Sequence, residues 1–334
     1  MMYAASHGAS RSTMINGVRN LMRTREAGVL AAVVCLCVLF AIASPVFLTS
    51  INVLNLLRQI SLLGVLAIGA TYVLIISEVD LSVGSLYGLA GMSAGMMIVH
   101  GVPEIIAIAL TLLLGLGLGM LNGVITVVGR IPSFITTLGT LYLIRGATLV
   151  MSNGMSVSLP SGGESAAPLI TSLAQGSLFG HLSNQVLVLA VIALIGYGLL
   201  HKTTFGFHIF AVGGNARAAK IVGVPVARTK IVAFALAGVL AAFAGTINFG
   251  FLENVQAVTG SGLELDVIAA VIIGGTRLGG GEGSVIGTLL GVLLIGVVRD
   301  GLILLGVTPF WQTTLIGVVV LIAALIGGIT SSRK

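Results

Sequence analysis

Carboxylates and hydroxyls are concentrated in one short stretch, SEVDLSVGS at residues 77–85, which directly follows a long apolar run. A carboxylate at the centre of a bilayer costs about 2.5–3.5 kcal/mol on insertion scales. Glu78 and Asp80 are therefore expected near a membrane surface or facing a water-filled cavity. Ser82 and Ser85 can cap the helix that follows. The stretch predicts either an interfacial turn or part of a path or gate for a solute.

A second stretch, AVGGNARAAKIVGVPVARTK at residues 211–230, is basic and punctuated by glycine. Gly213 and Gly214 are expected to break the chain. Asn215 is expected to cap a helix by accepting a backbone N–H bond. Residues 216–222 then favour a helix of two turns, because alanine occupies three of these seven positions.

This short helix is expected to end at Gly223, which suits the left-handed conformation that follows a helix, with a proline two residues later. Arg217 and Lys220 lie three apart on one face, and Ala218 and Ile221 lie three apart on a neighbouring face. Isolated helices this short are marginal in water, so this one needs a partner surface. An ordinary connecting loop is the alternative interpretation.

A third stretch, IIGGTRLGGGEGSVIG at residues 272–287, superficially resembles a phosphate-binding loop. The Walker pattern G-x-x-x-x-G-K-[ST] occurs nowhere in the sequence, so we expect no nucleotide site in this chain. The sequence also contains no His-Glu-x-x-His or paired-cysteine zinc motif. The spacing of this stretch echoes that of residues 75–88, which indicates an internal repeat, either direct or inverted.

The chain that must position these stretches is 57% hydrophobic and only 8% charged. About 20 apolar residues are needed to cross a bilayer, and in lipid a helix satisfies its own backbone. The sequence therefore predicts an all-α, polytopic membrane protein with about ten spans, at residues 28–48, 53–77, 82–100, 104–129, 133–152, 184–201, 229–252, 264–276, 284–305 and 311–328. The eighth is too short to cross comfortably and is expected to be re-entrant or broken. Gly115, Gly119 and Gly123 in the fourth have the spacing of close helix packing.

Basic residues predict the orientation, because Lys and Arg collect in cytoplasmic segments. An even number of spans places both termini inside, and the outer loop at residues 153–183 then holds no Lys or Arg. The predicted inner segments hold Arg11, Arg19, Arg23, Arg25, Arg130, Lys202, Arg217, Lys220, Arg228, Lys230, Arg277, Arg333 and Lys334. This distribution, rather than one basic patch, argues against a nucleic-acid partner despite the net charge of +6. The predicted organisation is a cytoplasmic arm at 1–27 and a transmembrane domain at 28–330, with a cytoplasmic segment at 202–230.

Four motifs resemble the ribose-type permease subunits of bacterial ABC sugar importers: DLSVGS at 80–85, GGNARAAKIVGV at 213–224, GSGLELDVIAAVIIGGTRLGGGEGSVIGTLLG at 260–291 and RDGLILLGV at 299–307. The resemblance covers nearly all of the chain beyond the N-terminal arm, and the third motif is long and specific. It implies a permease of the bacterial inner membrane that moves a neutral sugar or polyol into the cytoplasm.

The resemblance also implies partners. A separate ATP-binding cassette subunit would use the ATP, a periplasmic sugar-binding protein would deliver the solute, and a second permease chain, identical or paralogous, would complete the path. This chain would bind no cofactor itself. Its cytoplasmic helix would be the coupling helix that docks on the ATP-binding subunit, through Gly213, Gly214, Asn215, Arg217, Ala218, Ala219, Lys220 and Gly223. Arg217 stands where the wider importer pattern has a glutamate before its two alanines, so we expect a different pairing there.

Four polar residues are expected to line or gate the path: Asp80, Ser82, Ser85 and Asp266. The scarcity of charged groups within the spans is typical of a path for a neutral solute, since proton- and sodium-coupled carriers often place carboxylates in mid-membrane. The alternative interpretation is a stand-alone secondary transporter or channel for a small neutral solute, which would need no ATPase.

Overall fold

The computed structural model describes residues 25–160, 167–178, 180, 182–308, 311, 314, 317 and 318. Helices dominate these residues: α1 (Arg25–Ala43), α2 (Ser50–Ile75), α3 (Val83–Val99), α4 (Glu104–Val128), α5 (Ser133–Ser152), α6 (Pro168–Gln175), α7 (Asn184–Lys202), α8 (Thr204–Ile221), α9 (Val226–Leu252), α10 (Leu263–Ile273) and α11 (Val285–Leu304). Four two-residue strands form two antiparallel pairs: β1 (Val157–Ser158) with β4 (Asn254–Val255), and β2 (Ser177–Leu178) with β3 (Leu182–Ser183).

The predicted all-α membrane architecture is confirmed. Seven of the described helices are long and apolar enough to cross a bilayer, namely α1, α2, α4, α5, α7, α9 and α11. Helices α3 and α10 occupy two more of the predicted spans but have only 17 and 11 residues. An 11-residue helix is ~16 Å long and cannot cross a bilayer alone, as expected of the eighth predicted span. The tenth predicted span, 311–328, lies largely outside the described residues, so the total of ten and the orientation stay predictions.

Helix α9 is the centre of the bundle, and it packs against α2, α3 and α4. Glycines of α4 allow its backbone to approach that of α9. A Cβ added to Gly119 would overlap the carbonyl oxygen of Phe234, and one added to Gly115 would lie 2.6 Å from that of Gly238. A Cβ on Gly123 would meet the α9 backbone in the same way. The close packing predicted from the four-residue spacing of these glycines is therefore confirmed.

Two polar pairs, one of them fully buried, hold α2 against α11. The hydroxyl oxygens of Thr71 and Thr288 lie 2.6 Å apart, and both side chains are fully buried. Near the other end of α2, the Asn52 amide donates to the Asp300 carboxylate at 2.7 Å. The Thr71 hydroxyl also donates to the Ala67 carbonyl of its own helix, so it accepts the bond from Thr288. This bond specifies register, because an offset of either helix would leave the Thr288 hydroxyl unpaired in an apolar core.

The outward faces of the peripheral helices are apolar. Ile42 on α1, Val128 on α4, Leu143 on α5 and Leu194 on α7 are all strongly exposed. A water-soluble domain rarely presents such continuous apolar surface, whereas a bilayer covers it. The outer faces of these peripheral helices are therefore lipid-facing, whereas α2, α3 and α9 lie in the interior of the bundle.

Candidate coupling and translocation sites

The segment predicted to be a short helix is the last part of α8. The helix runs from Thr204, is interrupted at Asn215, where φ is −159° and ψ is 100°, and resumes to Ile221. The Asn215 Oδ1 accepts hydrogen bonds from the backbone N–H groups of Arg217 at 3.1 Å and Ala218 at 3.0 Å. This is the geometry of an N-cap, so the capping role predicted for Asn215 is confirmed.

Two details of the prediction for this segment were wrong. Gly213 and Gly214 do not break the chain, because both lie within helical backbone and the break falls at Asn215. The helical part of α8 that precedes the break, from Thr204, was not predicted. Thr203 was the sequence signal for the start of this helix, because threonine is a common N-cap residue. In the structure its hydroxyl accepts a hydrogen bond from the backbone N–H of Gly206, three residues later.

The short helix ends as its sequence predicts. Gly223 has a left-handed φ of 87°. Its N–H donates to the carbonyl of Lys220 at 3.2 Å, and the Val224 N–H donates to that of Ala219 at 3.0 Å. These two bonds form the Schellman ending, which requires a residue that tolerates positive φ. Pro225 then begins the connection to α9.

The surface of this short helix is unusual for a connecting loop. Ile221 and Val222 are 86% and 78% exposed, and Arg217 and Lys220 are exposed beside them. Ala219 points the other way and is only 4% exposed. A basic and apolar surface therefore projects from the bundle while one small residue anchors it. Exposed apolar side chains next to cations are typical of a docking surface for a protein partner.

The base of this helix is held against the core where α8 meets the end of α2 and two loops. We call this contact the glycine junction; it comprises Ile75, Ser77, Gly213 and the segment 279–281. The Gly281 N–H donates to the Ile75 carbonyl at 2.8 Å. The Ser77 hydroxyl donates to the carbonyl of Gly279 at 2.7 Å and lies 3.2 Å from that of Gly213. The structure thus unites all three stretches that the sequence singled out.

Gly213 is the tightest point of the glycine junction. A Cβ at this position would overlap the carbonyl oxygen of Ile75 and would lie 2.6 Å from the amide nitrogen of Gly281. A Cβ on the adjacent Gly214 would meet nothing within 4 Å. The two neighbouring glycines therefore have different roles, and only the first is required for close backbone approach. This contact joins α8 to the α2–α3 and α10–α11 loops just before the break at Asn215.

Three of the four residues predicted to line or gate a path form one buried network between α2 and α3. The Asp80 Oδ1 accepts from the backbone N–H of Ser82 at 2.8 Å and from its hydroxyl at 2.6 Å. The Ser85 hydroxyl donates to the carbonyl of Ser82 at 2.9 Å. Asn122, which the sequence analysis missed, donates its amide to the Ser82 hydroxyl at 2.8 Å. The sequence signal for Asn122 was that it is an isolated amide side chain within the apolar run of α4.

Asp80 is only 4% exposed. Burial raises the pKa of its carboxyl above the ordinary value, and the two hydrogen bonds from Ser82 oppose that shift with a smaller effect. Asn122 contributes an amide oxygen that is buried and has no hydrogen-bond partner in the described part of the chain. The network therefore fixes the entry into α3 and leaves an acceptor inside the bundle unsatisfied.

Asp266 does not join this network. Its carboxylate forms an ion pair with Arg299 at 2.7 Å, which links α10 to α11. A second ion pair joins Glu78 to Lys230, next to the stretch that connects α8 and α9. Neither ion pair was predicted from the sequence, because the partners are more than 30 and 150 residues apart, respectively, and meet only in the folded bundle.

These features define a multi-pass helical membrane protein whose short capped helix projects from a tightly clamped core. Comparison with known proteins identifies the family. A family model described as "Branched-chain amino acid transport system / permease component" matches residues 52–324. The chain belongs to this permease family.

Named relatives agree with the family assignment. The chain is 39% identical to a ribose import permease protein of Escherichia coli over 298 residues, which cover 88% of this chain and 92% of the relative. It is 39% identical to the corresponding protein of Bacillus subtilis, with 87% and 89% covered. It is 36% identical to a xylose transport system permease protein of Haemophilus influenzae, with 91% and 96% covered. The resemblance to ribose-type permeases is thus confirmed, and no solved structure matches the chain.

Proposed function

We propose that this chain is the permease subunit of an ABC importer and moves a neutral sugar or polyol into the bacterial cytoplasm. The observation that carries the proposal is the short helix after Asn215. It is capped at both ends, presents Ile221 and Val222 to a partner, and is clamped to the core through Gly213. The named relatives, which are ribose and xylose permeases, supply the solute class.

In this proposal the short helix is the coupling helix and lies on the cytoplasmic side of the inner membrane. The positive-inside distribution of Lys and Arg supports this orientation. A separate ATP-binding subunit docks on the helix and hydrolyses the ATP, since the chain contains no Walker motif. A periplasmic binding protein delivers the sugar to the opposite mouth, and a second permease chain completes the path.

The coupling step would use the glycine junction. When the ATP-binding subunits close, the coupling helix moves as a rigid unit, because Asn215 and Gly223 fix both of its ends. Ser77 and Gly281 touch the base of that helix, so displacement reaches the α2–α3 and α10–α11 loops together. Alternating access follows if these loops have two discrete packed arrangements, one for each open mouth.

The path is proposed to pass close to the Asp80 network. Asn122 offers an unpaired amide oxygen there, and a sugar hydroxyl can donate to it. Asp80 and Ser82 would shape the path by holding the start of α3, whereas Asp266 would hold α10 against α11 through Arg299. A neutral solute suits such a site, because the charges of these residues are already paired or hydrogen-bonded.

Reconstituted transport tests the proposal. The chain would be co-expressed with the genes that flank it, purified and placed in proteoliposomes with ATP inside or absent. We expect uptake of labelled ribose and xylose that requires both ATP and a co-purified ATP-binding subunit. Sugar uptake by the permease alone, without ATP, would instead establish a stand-alone carrier and overturn the proposal.

A further inference from the structure

A cleft of about 780 Å³ opens where the C-terminal end of α4 meets the N-terminal ends of α5 and α9. All three helices are long and apolar enough to cross a bilayer. Their ends therefore lie at a membrane boundary, whichever side that boundary faces. The end of the short helix and the connection after it form the remaining wall of the cleft.

The cleft has a large excess of positive charge. Its lining includes Arg130, Lys220, Arg228 and Lys230 but only one carboxylate, that of Glu78. Glu78 pairs with Lys230. Within the described part of the chain, Arg130, Lys220 and Arg228 have no carboxylate within ion-pair distance, and all three are exposed. Three cations around one concave surface repel one another unless an anion lies between them.

An independent observation also points to a ligand. Thr126 lines the cleft from the last turns of α4 and is only 7% exposed, yet its hydroxyl has no hydrogen-bond partner within the residues described. Threonine hydroxyls in helices usually donate to the carbonyl four residues earlier, as Thr71 and Thr246 do here. A buried hydroxyl that forgoes this bond is a group that a bound acceptor would satisfy.

The rest of the lining is apolar and continues onto the lipid-facing surface. Val127 and Ile131 line the cleft, and Val128 and Phe134 beside them are strongly exposed on α4 and α5. A free phosphate ion makes no use of such a wall. The wall continues onto side chains that face lipid in the bilayer, such as Val128, so acyl chains rather than a protein segment are its neighbours there. A phospholipid fits both the basic and the apolar part of the lining, because its headgroup is anionic and its acyl chains are apolar.

We propose that this basic cleft binds the phosphate of an anionic phospholipid. Arg130 and Arg228 hold the phosphate oxygens as charged hydrogen-bond donors, Lys220 adds charge, and the Thr126 hydroxyl donates a further bond. The acyl chains lie along the exposed faces of α4 and α5. Basic pockets between membrane helices are suited to anionic headgroups for these reasons. The inference does not depend on what solute the protein transports.

Native mass spectrometry of the full-length, delipidated permease tests this site. The protein is titrated with phosphatidylglycerol, with zwitterionic phosphatidylcholine, and with soluble glycerol-1-phosphate as the source of a free phosphate. Tight binding of phosphatidylglycerol alone is expected. Arg130→Gln, Arg228→Gln and Thr126→Val should each weaken the first bound phosphatidylglycerol, the two arginine variants by about tenfold.

Lys202→Gln is the matched control, since Lys202 is exposed at the end of α7, outside the cleft. It removes one positive charge and should leave lipid affinity unchanged. Equal loss in Lys202→Gln, or no preference for phosphatidylglycerol over phosphatidylcholine, would overturn the proposal. So would glycerol-1-phosphate binding as tightly as the lipid. If the arginine variants instead lose only a co-purifying protein and keep lipid affinity, the cleft belongs to an acidic protein partner and the lipid assignment is wrong.

Discussion

Alanine at Gly213 and alanine at Gly214 should have opposite effects, although the two glycines are adjacent in one helical segment. A Cβ at Gly213 would overlap the Ile75 carbonyl and crowd the Gly281 N–H, whereas a Cβ at Gly214 meets open space. Both substitutions gain the same helix propensity, about 1 kcal/mol. The pair therefore isolates the contact at the glycine junction from any general effect of removing a glycine.

The magnitude follows from the contacts that must be lost. Forcing a methyl group into a packed site costs about 1–3 kcal/mol. The backbone shift would also break the 2.8 Å hydrogen bond from the Gly281 N–H to the Ile75 carbonyl, which is worth about 0.5–1.5 kcal/mol. We therefore expect Gly213→Ala to be less stable than Gly214→Ala by about 1.5–4.5 kcal/mol.

Unfolding of the two purified variants in mixed detergent micelles, followed by SDS titration, measures this difference. ATP-driven sugar uptake provides a second readout: Gly213→Ala should lower it, and Gly214→Ala should leave it near the wild-type value. If the two variants have the same unfolding free energy, the backbone contact does not exist as described. The proposed route from the coupling helix to the α2–α3 loop would then be wrong.

Three further predictions concern polar groups. Asn215→Ala should lose the N-cap and destabilise the short helix by about 1 kcal/mol, so that less ATP-binding subunit co-purifies with the permease. Asn215→Asp should keep the helix stability and the amount of co-purified subunit, because aspartate also caps helices. Thr71→Val should lower the free energy of unfolding by about 1–3 kcal/mol, because it leaves the Thr288 hydroxyl buried without a hydrogen-bond partner. The double variant with Thr288→Val should lose less unfolding free energy than the two single variants added together. Strictly additive losses would contradict the buried hydrogen bond. Burial raises the pKa of Asp80, so the folded state binds its proton more tightly than the unfolded state does. Wild-type stability should therefore fall as pH rises from the unfolded pKa to the folded one, and Asp80→Asn should lack this fall when unfolding is measured across that pH range.

Local features of this protein were predictable from the sequence where one short segment determines them. The N-cap at Asn215 and the left-handed Gly223 depend on side-chain chemistry and backbone freedom within a few residues. The seven helices that are long enough to cross a bilayer were predictable for a similar reason, because the length and composition of an apolar run decide whether a helix can lie in lipid. The packing of Gly115, Gly119 and Gly123 followed from helical periodicity alone.

Features that depend on the three-dimensional arrangement were not predictable. Gly213 and Gly214 look identical in the sequence, and only their neighbours in space, Ile75 and Gly281, distinguish them. The expected break at these glycines was wrong because packing against two loops holds the helix continuous up to Asn215. The ion pairs and the basic cleft likewise join residues far apart in the chain. The gating role of Asp80, Ser82, Ser85 and Asp266 remains a prediction.

Photo-crosslinking from the coupling helix tests the central claim most directly. A photoreactive benzoyl-phenylalanine would replace Ile221, which is 86% exposed, in the permease co-expressed with its ATP-binding subunit. The same group at Met155, an exposed position in the predicted outer loop, is the control. The account predicts a covalent adduct with the ATP-binding subunit from position 221 and none from position 155. An adduct from position 155 alone, or none from position 221 while the complex is intact, would contradict it.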